Sequence, residues 1–501
     1  MMRLAPLAPA VWLFVAASAA GCTRDNPRFC EESTACGDGF RCDVAANECV
    51  PLGAEDGPVM CETAMECAAQ APVCEDNVCA ACTEGSAGDA VCAGRGDGLP
   101  RCVGGGCVAC IDNSDCGAAA PVCEDNACRP CARHDECDSQ VCDQGQCVAA
   151  SAIIYVDADV AGGDSDTCGT QAEPCQTVSG PAGALRRVDT TRSFIRLLPA
   201  AGDYREDILV DGLTATIIGP GITITDIAET QASLVAVRGG GDLTLDGVTL
   251  SGLPGVSDAV HHAIECEGGS RIALEGATVD DNGEGTTVGG ILARDCQVEV
   301  ADSTISDQTG IGIDVEENRV EVVRSLILQN RDGGIRIVGG AAFRVVNNVI
   351  AENGFNDIDR TPFGGILIDN PVDPGEQVLA FNTIVDNEAK DNADASGVSC
   401  AVIEGSVTAV DNIVYFGAGA GGNAVAGTCE WETSVIENGG DLGASILTDD
   451  PLLTDRAGGD FTLRAGSPCI DSGKPVGGVT TDRFGVMRDA KPDIGAHERA
   501  P

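Results

Sequence analysis

The sequence predicts an all-β chain, a parallel β-helix solenoid that follows a disulfide-rich repeat region. Two observations predict it. Twenty-one of the 28 cysteines lie between Cys22 and Cys147. From Ser151 onward the composition shifts to Val, Ile, Leu, Gly, Asp and Asn, and short segments with period-2 apolar alternation recur between glycine-rich turns. Period-2 alternation with such turns means strands.

Residues 1–21 read as an export signal. Arg3 gives a positive start, and an apolar stretch centred on Trp12-Leu13-Phe14-Val15 follows. That stretch is short for a membrane span, and no polybasic stop follows it. Ala19-Ala20-Gly21-Cys22 resembles the lipobox of bacterial lipoproteins, with Ala19 where leucine is usual. The resemblance implies cleavage before Cys22 and a lipid on its thiol, hence a membrane partner. The bland alternative is an ordinary signal peptide with Cys22 in a disulfide.

Residues 22–150 form the Cys-rich region. Without Cys22, twenty cysteines fall into five groups of four, beginning at Cys30, Cys61, Cys82, Cys110 and Cys131. The second and fourth groups share their spacing and the string Ala-Pro-Val-Cys-Glu-Asp-Asn. Modules this small cannot bury a useful core, so two disulfides each have to hold them. First-to-third and second-to-fourth pairing is the favoured connectivity of three. CxxC pairs such as Cys79/Cys82 have zinc-ligand spacing, but each straddles a module boundary, and disulfides are the better reading. The modules resemble Cys-rich repeats of surface proteins from some Gram-negative bacteria. That resemblance implies no activity; a stiff stalk or a protein-binding array are the two roles open.

Residues 151–445 carry the solenoid. Segments ending at Leu250, Val279, Ile305, Ile327, Ile350, Ile384 and Ile413 recur at intervals of 22 to 34 residues. A second, glycine-led strand lies between them, as in Gly334-Ile-Arg-Ile337. Two or three short strands per coil suit a parallel β-helix, in which each coil contacts only its neighbours. Asn282, Gln308, Asn330, Asn353 and Asn387 follow the anchors by three residues and resemble the asparagine ladder of β-helix turns. A leucine-rich repeat is the rival, and it lacks the second strand. Cys266 with Cys296, and Cys400 with Cys429, are expected to bridge coils. Cys469 is left as a buried free thiol.

Residues 446–501 are expected to cap the open end of the solenoid. The strings Asp450-Pro-Leu-Leu, Ser467-Pro-Cys-Ile-Asp-Ser-Gly473, Asp482-Arg-Phe-Gly485 and Asp493-Ile-Gly-Ala-His-Glu498 resemble the end of the choice-of-anchor Q family. Cys469 and His497 depart from its pattern. The family is a pectin-lyase-like group, and it implies a right-handed β-helix on a cell surface with no defined activity. Ile154-Tyr-Val-Asp157 and Pro174-Cys-Gln-Thr-Val178 look like the entry segment of bacterial β-helix proteins, which implies a local Cys168–Cys175 disulfide.

The formal charge is −48, and Lys390, Lys474 and Lys491 are the only lysines. Such a surface excludes nucleic acid, which needs a basic footprint. It disfavours polyuronates unless Ca²⁺ bridges them. Gly-His-Gly and Arg-x-Lys are absent, and Asp280-Asp281 is a lone acidic pair, so no catalytic residue is assigned. Asp281, Asp307, Gln329, Glu352 and Asp386 follow the anchors by two residues. Stacked about 4.8 Å apart, the carboxylates Asp281, Asp307, Glu352 and Asp386 are the candidate ligands of a Ca²⁺ strip; the rival is a solvated turn. His261 and His262 point to opposite faces of a strand and read as structural. No cofactor is required. The expected function is an exported protein at the outer membrane or cell surface that binds a glycan or protein. The alternatives are a polysaccharide lyase or glycoside hydrolase, and a purely structural envelope spacer.

Overall fold

The computed structural model describes residues 40–43, 48–51 and 61–499, apart from 227–232, 255–260, 284–286, 356–362, 370–376, 390–394, 403–405, 416–417 and 420–422. Residues 1–21, read above as an export signal, and Cys22, Cys30 and Cys36 lie outside the described residues. Two compact units emerge. One runs to Ala132 and includes Gln144–Gln146; the other comprises Arg133–Asp143 and everything from Cys147.

The first unit is built of small hairpins. Val73–Glu75 pairs with Val78–Ala80, Arg101–Val103 with Gly106–Val108, and Val122–Glu124 with Ala127–Arg129. The repeated Glu-Asp-Asn makes the tight turns, because Asp76, Asn77, Asp125 and Asn126 all take φ between 49° and 63°. Asp and Asn tolerate that left-handed backbone, and a two-residue loop of this kind matches strand twist. Disulfides join Cys61–Cys74, Cys67–Cys79, Cys82–Cys102, Cys92–Cys107, Cys110–Cys123 and Cys116–Cys128, first to third and second to fourth. They fill the interior that side chains cannot: Cys92 and Cys110 are 0% exposed.

The second unit is a parallel β-helix with three strands per coil. One face stacks Val210, Val237, Cys266, Ala293, Val315, Ile337, Ile368 and Cys400 in register. A second stacks Ile217, Leu245, Leu274, Val300, Val322, Val345, Leu379, Ala409 and Trp431. The third stacks Ile224, Leu250, Val279, Ile305, Ile327, Ile350, Ile384, Val414 and Ile436. These columns form one interior cluster. The last sequence anchor is corrected by one residue: Val414 points inward and Ile413 outward.

The coils carrying Thr278–Asp280 to Thr383–Val385 turn twice through a left-handed residue, once on either side of the third sheet. After the sheet come Asp281, Asp307, Gln329, Glu352 and Asp386; before it come Asp302, Arg324, Asn347, Phe381, Asp411 and Thr433, all with φ between 43° and 59°. The residue following each is buried and bonds to an adjacent coil. The expected ladder appears as Asn330 Nδ2 donating to Asn353 Oδ1 and Asn353 Nδ2 to Asn387 Oδ1, each at 2.9 Å. A second ladder on the other edge runs through Ser303, Ser325, Asn348, Asn382, Asn412 and Ser434. Both ladders satisfy backbone groups at corners where no strand pairing reaches.

Outside the solenoid, two segments cover apolar surface. Val141 and Val148 pack on Ile153, Tyr155 and Phe194, and the Tyr155 hydroxyl donates to Ser139 O at 2.9 Å. His134 Nε2 lies 3.0 Å from Asp246 Oδ2. Much of the fifth Cys module therefore belongs to the solenoid's compact unit.

The C-terminal segment departs from the expected cap. Ile446 joins the interior cluster, and Leu447 pairs with Val435 of the last coil. Beyond it the chain turns back along the outer face of the third sheet, where Leu453, Phe461, Leu463, Cys469, Ile494 and Ala496 pack on Val349, Ala351, Val385, Ile413 and Val435. The sheet is made for this. Its outward residues are Thr223, Thr225, Thr249, Ser251, Thr278, Asp280, Thr304 and Ser306 in the early coils, and become Leu326, Leu328, Val349 and Ala351 thereafter. Apolar outward residues need a cover, and the segment supplies it.

Under this cover Asp411 is 0% exposed. One carboxylate oxygen accepts the Lys474 N–H at 3.0 Å. Burial raises its pKa to about 6, partly offset by the Thr433 and Lys474 hydrogen bonds. A raised carboxyl pKa penalises the ionised form: the fold loses stability as pH rises from the unfolded value near 3.8 through about 6. Asp411→Asn removes that penalty, and Asn347 occupies the same left-handed position two coils earlier. At about 1.4 kcal/mol per pKa unit, the variant is expected to be about 3 kcal/mol more stable at pH 7.5 and nearly level with the wild type near pH 4. Urea melts at the two pH values check this; equal gains at both would remove the titration from the account.

Candidate functional site

The left-handed column on the far edge of the third sheet lines a groove of about 350 Å³. Asp307, Gln329, Glu352 and Asp386 come from four successive coils, with Phe355 and Glu388 beside them. The left-handed backbone explains why these side chains share a row. Each leaves the strand at the same turn, while the ladder residue after it is held inside.

The groove is acidic and unevenly paired. Gln329 Nε2 donates to Glu352 Oε2 at 2.7 Å. Arg456, from the C-terminal segment, donates to Asp386 Oδ1 at 2.7 Å. The Ser306 hydroxyl donates to Asp280 at 2.6 Å. Desolvation, then the charges of Asp280 and Asp281, push the Asp307 carboxyl above its ordinary value. Asp386 is pushed up by desolvation, against the pull of Arg456. Phe355 is 45% exposed. The groove thus combines hydrogen-bonding side chains at coil spacing with an exposed aromatic ring.

Among the described residues, Asp281, Asp307, Glu352 and Asp386 do not bring three carboxylate oxygens within 4.8 Å of one another. Gln329 interrupts the row and holds Glu352, and Arg456 holds Asp386. The cysteines are bonded elsewhere: Cys168–Cys175, Cys266–Cys296 and Cys400–Cys429 are disulfides, with Cα atoms 4.8, 5.8 and 5.6 Å apart. Cys469 is free and buried, and burial raises its pKa to about 12. His262 is buried against Gly289, and burial lowers its pKa to about 4; His261 is half-buried. Neither histidine reaches the groove.

The outer faces of the other two sheets hold interlocked ion pairs. Arg271 bridges Asp242 and Glu299, Arg336 bridges Asp314 and Glu316, and Arg344 meets Glu321. Opposite charges on adjacent coils neutralise each other there. The sequence identified the groove's acidic row but missed Phe355, Glu388 and Arg456. Arg456 is 70 residues from its partner, and no local pattern marks it.

Residues 220–370 and 262–438 match the family described as the right handed beta helix region, which fixes the hand of the solenoid. Residues 51–153 match a family of unknown function, DUF8331. No curated protein matches the chain. Among solved structures, the chain is similar to pectate lyase Pel9A, at 13% identity and a TM-score of 0.45, over 70% of this chain and 98% of that one. It is also similar to the GH136 lacto-N-biosidase from Eubacterium ramulus, at 10% identity and a TM-score of 0.23, over 53% of this chain and 63% of that one. Likeness at this level carries no argument about activity.

Proposed function

From a right-handed parallel β-helix that follows a disulfide-rich region, we propose an exported surface protein that binds a neutral glycan along the groove. The groove itself carries the reading. Four coils present carboxylate or amide groups in one row, spaced by about 4.8 Å per coil, and Phe355 offers a ring face for a sugar to stack on. A few convergent polar groups beside an aromatic surface are the usual make-up of a ligand site. The carboxylates repel polyuronates and favour uncharged sugars. Disulfides in both units require an oxidising compartment. A lipid on Cys22 would tether the chain to the outer membrane or cell surface.

A glycan array probed with the full chain tests the reading. Binding to neutral oligosaccharides is expected, with at least tenfold loss in Phe355→Ala and Gln329→Ala. Binding confined to polyuronates would overturn it. A second reading, glycoside hydrolysis, is favoured by one observation: Asp307 and Asp386, both held above the ordinary carboxylate value, face the same groove. Release of reducing ends from an array hit would establish that reading instead.

A further inference from the structure

Eight large apolar residues stand exposed among the described residues, and three of them share one loop tip: Phe484 at 63%, Val486 at 37% and Met487 at 68%. The loop is rigid. Asp482, 0% exposed, accepts the N–H groups of Phe484 and Val486 on one carboxylate oxygen and that of Glu498 on the other, all at 2.8 Å. Its own N–H donates to Val486 O at 2.8 Å, and Gly485 turns the tip at φ 79°. Thr481 pairs with Met487 across the base. A tip held this firmly loses little conformational freedom on docking.

The tip is also locally basic on a chain of formal charge −48. Asp482 and Asp493 are turned inside, and Glu498 is consumed by Arg488. Arg483 lies over the Phe484 ring at 5.2 Å, and Lys491 and Arg499 are exposed; Asp489 is the exposed acid of the stretch. Its complement is a surface with an apolar centre and an acidic rim. The groove has that character: exposed Phe355 among Asp307, Glu352, Asp386 and Glu388.

Tip and groove cannot meet within one molecule. The tip's segment is anchored at Asn347 and Phe381, on the edge before the third sheet. The groove lies on the edge after it. We propose that the tip of one copy docks in the groove of a second, giving a head-to-tail, open-ended association. An interface between unlike patches does not close on itself unless the rotation happens to do so. Screening at physiological salt confines repulsion between the acidic chains to about 8 Å, so the local contact decides. Three side chains bury little area, and the association is weak and concentration-dependent.

Sedimentation velocity on the full chain across a concentration series tests this. Growing, unlimited assembly is expected for the wild type. A tip variant, Phe484→Ser with Met487→Ser, and a groove variant, Glu352→Gln with Glu388→Gln, are each expected to stay monomeric. Mixed together they should form a 1:1 dimer that grows no further, because one intact tip still meets one intact groove. Melting curves confirm that both variants are folded. A monomeric wild type, a tip variant that assembles normally, or a mixture that stays monomeric would overturn the proposal. The tip variant keeps the groove intact, so its glycan-array result separates failure of this inference from failure of the glycan reading.

Discussion

Replacing Arg488 by alanine is expected to destabilise the second unit by about 3–5 kcal/mol, the cost typical of breaking a buried ion pair from one side. The Arg488 and Glu498 side chains are 2% and 6% exposed and lie 3.1 Å apart. The guanidinium also donates to Asn347 Oδ1, Gly495 O and Asp493 O, and stacks 4.0 Å above the Phe381 ring. Burial pushes Arg488 down and Glu498 up, against the attraction between them. Alanine leaves the buried Glu498 carboxylate without its cationic partner, held only by backbone N–H groups such as that of Asp493, and takes a donor from the Asp493 and Gly495 carbonyls. The loss falls on the junction between solenoid and cover. Limited proteolysis should therefore cut between 450 and 499 in the variant well before the solenoid is touched. Cleavage at equal rates in both regions would mean that the cover is not held at this point. Arg488→Ala with Glu498→Ala should recover part of the loss, since no charge is then stranded.

Asn382→Ala is expected to cost about 3 kcal/mol or more, although it removes only one small side chain. Asn382 is 0% exposed. Its Oδ1 accepts from the N–H and Nδ2 of Asn348, and its Nδ2 donates to Val345 O and Asn412 Oδ1. Each buried group left unsatisfied costs about 1–3 kcal/mol. Denaturant melts of Asn382→Ala, Asn348→Ala and the double variant check this. Strong non-additivity is expected, because both singles break the same rung. Additive losses would show that the rungs act independently.

The fold was legible because interior columns impose period 2. Leu243, Leu245 and Leu250 are buried where their flanking residues are not. That signal fails where a second layer covers the outer face. In Ile413-Val414-Tyr415 every residue is apolar, so alternation cannot say which one points inward, and the register slips by one. The second ladder was hidden by its chemistry. Serine and asparagine fill the same role, and only the preceding left-handed residue unites Ser303, Ser325, Asn348 and Asn382. The lateral course of the C-terminal segment left a readable trace in the change from threonine to leucine at residue 326, but that trace has meaning only once the strands are assigned to faces. Within the groove, the acidic row was legible from coil spacing. Its pairing was not, since Arg456 and Gln329 decide which carboxylates stay open.

The change of outward residues at Leu326 has a consequence for how such a chain can grow. The cover's apolar footprint rests on the coils from Leu326 onward, and the groove begins one coil earlier, at Asp307. Coils ahead of Thr278 face solvent with hydroxyls and carry neither. Extra coils inserted there would lengthen the protein without asking anything new of the cover or the groove, whereas an insertion after Leu326 would throw both out of step. The solenoid therefore has one end free to vary in length and one end fixed in register by what lies on it.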